Sequence, residues 1–173
     1  MYPGHHASYN KFGGYCYLNN TAICAQILIN NGFKVDILDL DYHAGNGTAN
    51  IFPNSYSIHA NPEFDYPFYS CFDDQEHNFI FNKDVTKEQY FDLVNKVMDK
   101  IDADILLIPF GGDTYKDDPD ASHCCKCCLD IEDYRVISSL IRAKFDKKII
   151  VLQEGGYDMD YIDLIVESFL SGF

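Results

Sequence analysis

Apolar positions along this chain fall into two rhythms that alternate from one end to the other. Val35, Ile37, Leu38 and Leu40 form an apolar run of strand length, and Ile105 to Phe110 and Lys148 to Gln153 read as further buried strands. Tyr90, Val94, Val97, Met98 and Ile101 recur at helical spacing behind a T-x-x-Q capping box made by Thr86 and Gln89. Asp130 and Asp133 open another helix, with Tyr134, Ile137, Leu140 and Ile141 on its apolar face. A helix from Thr21 carries Ile23, Ile27 and Leu28 and stops at Asn30, Asn31 and Gly32, and a last helix covers residues 160–171. Ser55 to His59 and Phe79 to Phe81 read as short strands on either side of a loop rich in proline and aromatic residues over 61–69. The first twenty residues are loop-like. Strands alternating with helices predict an α/β fold of three layers, a mainly parallel sheet between helices. No linker, repeat or low-complexity tract divides residues 1–173, so a single domain is expected.

Three of the strands end in polar, glycine-rich turns. The first runs into Asp41, His43, Gly45, Asn46 and Gly47, the second into Gly111, Gly112 and Asp113, and the third into Glu154, Gly155, Gly156 and Tyr157. In an open parallel sheet the carboxyl ends of the strands form the ligand-binding crevice. Residues two apart on an extended segment face one side, so Asp41 and His43 can converge on one point. With Asp113 they make two carboxylates and an imidazole, a set that suits Zn²⁺ or Fe²⁺ and leaves a coordination position open. The His5–His6 pair can fold over the same edge and is suited to moving a proton.

Composition narrows the partners. A formal charge of −14 argues against binding to a phosphate backbone, which needs Lys and Arg; it reads either as a solvated surface that keeps the protein in solution or as attraction for cationic partners such as polyamines or basic protein tails. No segment resembles a signal peptide or reaches the length of a membrane span, so a cytoplasmic setting is expected, or a nuclear one in a eukaryote. The seven cysteines are an odd number, and four crowd into the run from Cys124 to Cys128. So short a run does not easily wrap four sulfurs around one ion, and a reduced, thiol-rich loop is the expectation, with a structural metal or redox pairing as the alternative.

The segments Pro3-Gly4-His5-His6-Ala7, Gly14-Tyr15-Cys16-Tyr17-Leu18-Asn19-Asn20, Asp39-Leu40-Asp41-Tyr42-His43, Gly45-Asn46-Gly47-Thr48, Gly112-Asp113-Thr114 with Asp118-Pro119, and Glu154-Gly155-Gly156-Tyr157 together resemble the zinc-dependent histone deacetylase family. Ser57-Ile58-His59-Ala60-Asn61-Pro62 and Asp65-Tyr66-Pro67-Phe68 are similar to its acetylpolyamine amidohydrolase branch. The resemblance implies an arginase/deacetylase-like fold and hydrolysis of an acetamide, in acetyl-lysine or an acetylated polyamine, by metal-activated water. It implies that Asp41, His43 and Asp113 ligate the metal, that His6 is the general base with His5 as its electrostatic partner, and that Tyr157 donates to the substrate carbonyl. Asp39 behind His5 and Asn46 behind His6 would set tautomer and orientation. Gly14, Tyr15, Tyr66 and Phe68 would line the acyl tunnel, and Asp39, Asp41, His43, Ser57 and Ile58 match the family's potassium site.

Two departures accompany the resemblance. Ala44 follows His43 where the family usually has a second histidine, and the chain opens almost on the catalytic histidine pair although family domains are longer. The expectation is a C-terminal portion of the family domain that lacks the amino-terminal strands, with an exposed sheet edge covered by a homo-oligomer contact or by a partner chain. A non-catalytic scaffold subunit is the rival reading. An arginase-like hydrolase with two metals is disfavoured, because no second D-x-H-x-D cluster is present.

Overall fold

A computed structural model describes residues 3–68, 76–82, 84–120 and 129–173. Five strands form one parallel sheet in the order β3-β2-β1-β4-β5: β1 is Val35–Asp39, β2 Tyr56–Ala60, β3 Asn78–Phe81, β4 Ile105–Phe110 and β5 Lys148–Gln153. The chain winds outward from β1 to β3, then returns to the other side of β1 for β4 and β5. The crevice at this reversal lies between the carboxyl ends of β1 and β4, which pair from Val35 with Ile105 to Ile37 with Leu107.

Side-chain alternation sorts the two faces. Leu38, Leu106 and Ile108 turn to one side and meet helices α3 (Lys87–Met98), α4 (Ile131–Lys144) and α5 (Ile162–Leu170) through Val94, Val97, Tyr134, Ile137, Ile141, Ile165 and Phe169. Phe110 stacks on Phe169 with ring centroids 4.1 Å apart. Ile37, Ile105 and Leu107 turn to the other side, where only Ala25 of helix α1 (Asn20–Asn30) joins them as a fully buried partner. This second layer is thin. Ile150 and Leu152 of β5 stay half-buried in it, and α1, whose apolar residues are not gathered on one face, leaves Ile23 and Ile27 about half exposed.

The capping signals act as the sequence indicates. Thr86 and Gln89 exchange hydrogen bonds at the start of α3, as Asp130 and Asp133 do at α4, each satisfying otherwise orphaned amides. One helix was not anticipated. Residues Asn46–Ile51 form α2 where the sequence shows only a glycine-rich turn. Its start is held by contacts distant in sequence: Thr48 N donates to the His5 carbonyl at 2.9 Å and Asn19 Nδ2 donates to Thr48 Oγ1 at 3.0 Å. A Cβ at Gly47 would lie 2.4 Å from the backbone of His6 and Ala7, so glycine there permits a close approach rather than a simple turn. The Cys124–Cys128 run lies outside the described residues. Among those described, no helix is long and apolar enough to cross a membrane.

The unequal layers give a stability test. Leu106 and Leu107 are adjacent, fully buried and on opposite faces of β4. Leu106→Ala is expected to destabilise toward the upper end of the roughly 2–5 kcal/mol seen for Leu→Ala, and Leu107→Ala toward the lower end, because a thin layer collapses more readily onto the vacated volume. Urea unfolding of the two variants checks the difference.

Candidate active site

Two strand ends bring their acidic residues to one imidazole. Beyond β1, the Asp41 side chain accepts the His43 amide N–H at 2.8 Å and places Oδ1 3.2 Å from His43 Nδ1. Beyond β4, a single 3₁₀ turn at Gly112–Thr114 carries Asp113, whose Oδ2 lies 3.1 Å from the same Nδ1 and whose Oδ1 accepts the Tyr42 amide at 3.1 Å. The Gly155 amide, just past β5, closes on Asp41 Oδ2 at 2.8 Å. All three side chains are buried, and their ligand atoms lie within 4.8 Å of one another. Two glycines make the approach sterically open. A Cβ at Gly111 would come within 2.4 Å of both carboxylates, and one at Gly155 within 2.5 Å of Asp113.

The electrostatics of this group favour a cation. Burial alone would depress the His43 pKa, yet the Asp113 and Asp41 carboxylates outweigh it and raise it to about 11. Burial pushes Asp113 up to about 7, with the neighbouring Asp41 charge adding to the rise. Burial would raise Asp41 as well, but His5 and His43 hold it well below the usual carboxylate range. The field that holds a proton on His43 is the field that would hold a metal ion. The donor set, two hard oxygens and one imidazole nitrogen, fits a divalent cation.

The histidine pair lies against this group with its members driven apart. His5 Nδ1 is 3.0 Å from Asp39 Oδ2, and His5 Nε2 is 3.6 Å from Asp41 Oδ1. Burial would lower the His5 pKa, but Asp41 and Asp39 raise it to about 10. His6, with its ring centroid 4.0 Å from that of His5, is held well below its ordinary value by burial and by the charge on His5. Its Nδ1 lies 2.6 Å from Asn46 Oδ1. A carbonyl oxygen only accepts, so Nδ1 carries the proton and Nε2 keeps its lone pair. One histidine is cationic, the other a neutral base.

A cavity of about 510 Å³ opens onto these groups, with His6, His43 and Tyr157 at its floor and Gly14, Tyr15, Tyr66 and Phe68 on its walls. The Tyr66 ring meets His6 edge-on with centroids 4.6 Å apart, and Tyr15 lies 6.2 Å from Tyr157. Gly14, at φ +53°, is required here: a Cβ would sit 2.2 Å from His6 Cδ2. Burial and the Asp113 and Asp41 charges hold the Tyr157 phenol well above its ordinary pKa, so it keeps its proton and remains a donor. A larger cavity of about 630 Å³ also touches His6 and Tyr66, but neither His43 nor Tyr157 lines it.

Residues 2–173 match the histone deacetylase domain family. This chain belongs to the histone deacetylase domain family. Acetylpolyamine amidohydrolase 2 of Pseudomonas aeruginosa is 34% identical over 189 residues, covering 99% of this chain and 54% of that protein. Histone deacetylase 8 of Arabidopsis thaliana is 26% identical, covering 98% of this chain and 51% of that protein. The crystal structure of acetylpolyamine aminohydrolase from Burkholderia pseudomallei superposes with a TM-score of 0.88 at 31% identity, covering 99% of this chain and 54% of that one. The chain spans about half the length of the relatives it matches.

Within this histone deacetylase domain, the structure brings together the residues expected at the metal group, the histidine pair and the tunnel. Asp39 and Asn46 stand behind His5 and His6. At the potassium positions, Ser57 pairs in register with Asp39, and Ile58 is wholly buried. The Ser57 hydroxyl is buried and has no hydrogen-bond partner among the described residues, which leaves its oxygen lone pairs unengaged. Three carboxylates at the site had no role in the sequence reading. Glu154 Oε2 accepts the amides of Gly4 at 2.6 Å and His5 at 3.0 Å, stapling the amino-terminal loop to the end of β5. Asp118 accepts the amides of Tyr157 at 2.8 Å and Asp158 at 3.2 Å. Asp65 accepts the Tyr42 hydroxyl at 3.2 Å and the Tyr66 amide at 2.8 Å. Each lies inside one of the quoted motifs, and that is the signal from which they were legible.

Glu154 supplies a pH test. Burial raises its pKa from 4.5 to about 7, against the lowering effect of His5. A raised folded-state value means that its stabilising contribution is complete below pH 4.5 and is lost as pH rises through about 7. Urea unfolding of the wild-type chain and Glu154→Gln across this range is expected to show the wild type losing on the order of 2–3 kcal/mol relative to the variant. Parallel pH profiles would contradict the assignment.

Proposed function

We propose that this chain hydrolyses the acetamide of an acetylated amine, either acetyl-lysine or an acetylated polyamine, as a metal-dependent deacetylase. The carrying observation is that one cavity reaches the Asp41, His43 and Asp113 group through His43 and is lined as well by a histidine held neutral and a tyrosine held protonated. A divalent cation, zinc or alternatively ferrous iron, would be held by Asp41, His43 and Asp113 and would polarise the amide carbonyl and acidify water.

The chain's own groups carry the proton transfers. His6 Nε2 removes a proton from the attacking water, and His5, charged through Asp39, keeps His6 neutral until then. As the carbonyl oxygen gains negative charge, the Tyr157 hydroxyl donates to it, a contact that strengthens as the barrier is climbed. His6 returns the proton to the departing nitrogen. The carbon–nitrogen bond breaks, and acetate and a free amine leave. Asp39, Asp41, His43, Ser57 and Ile58 are assigned to a potassium ion, a reading supported by the unpartnered Ser57 hydroxyl.

The scaffold reading draws its support from the surface. Ile23, Ile27 and Phe33 are exposed and β5 is an unpaired edge among the described residues, so this apolar side is assigned to contact with a second polypeptide. Metal analysis and assays on an acetyl-lysine peptide and an acetylated polyamine separate the two readings. With metal bound and the enzyme active, Tyr157→Phe is expected to lower kcat by on the order of 10²–10³ while metal content is unchanged. Full metal occupancy with no turnover of either amide would favour the scaffold. Light scattering at micromolar concentration is expected to show an assembly, and a monodisperse monomer would contradict the contact.

A further inference from the structure

His43 has two ring nitrogens, and the Asp41, His43 and Asp113 group uses only one. Nδ1 lies 3.2 Å from Asp41 and 3.1 Å from Asp113, whereas Nε2, on the far side of the ring, makes no hydrogen bond among the described residues. The carboxylate of Asp65 faces this second nitrogen, with Oδ1 3.9 Å from Nε2. That separation is too long for a hydrogen bond but short enough for charge attraction.

Asp65 has no task in the chemistry proposed above, although it is buried and lines the cavity beside His43. Its place is fixed by neutral donors, the Tyr42 hydroxyl at 3.2 Å on Oδ2 and the Tyr66 amide at 2.8 Å on Oδ1. Tyr42 is wholly buried and directly precedes His43, so the carboxylate is tied to the segment that carries the imidazole. Two neutral donors do not fully compensate a buried charge, and the ion-pairing partner of Asp65 among the described residues is His43. With a divalent cation at Nδ1, the ring's proton is on Nε2, where the cation polarises it. An N–H in that state needs an acceptor, and a carboxylate there fixes the plane of the ring and makes it a stronger donor. Asp39 already stands in this relation to His5, with Oδ2 3.0 Å from Nδ1.

We infer that Asp65 is a positioning residue for the metal group: it accepts the His43 Nε2–H and so sets the orientation and donor strength of the imidazole that binds the cation. This role rests on the metal-binding part of the proposed function and is independent of which amide is hydrolysed. It also accounts for a buried carboxylate held on the far side of His43 from Asp41 and Asp113, where it cannot ligate the same cation through Nδ1.

The test is the zinc dissociation constant of the whole chain, read by competition with a fluorescent chelator, so that no turnover is involved. Asp65→Asn keeps an acceptor oxygen for the Tyr66 amide and removes the charge, and its zinc Kd is expected to rise on the order of 10–100-fold. Asp120→Asn removes another acid from the same cavity, one that is not paired with His43, and is expected to leave Kd within about twofold of wild type. A merely structural Asp65 would lower the urea midpoint of the metal-free variant and leave Kd unmoved, and that result overturns the role. Equal weakening by Asp120→Asn overturns it as well, since the charge of the cavity would then explain both. If Asp65→Asn does not fold, a structure of the zinc-loaded wild type decides: Nε2 within about 3.2 Å of an Asp65 oxygen supports the bond, and a separation still near 3.9 Å overturns it. No zinc binding by the wild type overturns the metal group and the role of Asp65 together. Zinc binding without turnover fails the deacetylase reading alone, and the Kd comparison still decides Asp65.

Discussion

Asp41 and Asp113, both buried, approach one imidazole nitrogen from two different strand ends, to 3.2 and 3.1 Å. Two buried like charges so close repel one another and lose their hydration, so the arrangement persists only where positive partners surround it. The fold supplies them in layers. Backbone amides of His43, Tyr42 and Gly155 point at the carboxylate oxygens, and His5 adds a full charge through its contact with Asp41. A divalent cation would complete the compensation. Much else follows: the glycines at 111 and 155, the reversal of strand order between β1 and β4, and the folding of the amino-terminal loop across the crevice all let these groups meet.

The same interaction sets the proton chemistry. Because Asp39 and Asp41 charge His5, His6 beside it resists protonation, and two chemically identical side chains acquire opposite states through their neighbours alone. Asn46 then fixes which nitrogen of His6 is free. A carboxylate in place of Asn46 would raise the basicity of His6 and weaken the contrast. An amide orients the ring without adding charge.

Elements whose cause is local were legible in the sequence. The Thr86–Gln89 and Asp130–Asp133 boxes mark helix starts, and the runs at 105–110 and 148–153 mark buried strands, because capping and burial leave their signature within a few neighbouring residues. The convergence of Asp41, His43 and Asp113 was legible for a different reason: a parallel sheet gathers its strand ends at one edge, so topology turns separate motifs into neighbours. Helix α2 was not legible. Gly47 inside it opposes a helix locally, and what overrides this is packing on the backbone of His6 and Ala7, some forty residues earlier in the chain.

Acidity shows most clearly what composition leaves out. A charge of −14 reads as a solvated surface, yet Asp39, Asp41, Asp65, Asp113, Asp118, Asp133 and Glu154 are all buried. Glu154 and Asp118 each tie two backbone amides, and through them a loop, to a strand end; Asp133 closes a helix cap. A carboxylate suits this work because its oxygens can accept several N–H groups at once, which no neutral side chain of similar size does as strongly. Surface acids can be exchanged at little cost, whereas each of these would leave amides without partners in a dry site. The negative charge of this chain is therefore in part internal structure. Asp39, Asp41 and Asp113 place part of it beside one crevice, where the field favours a cation.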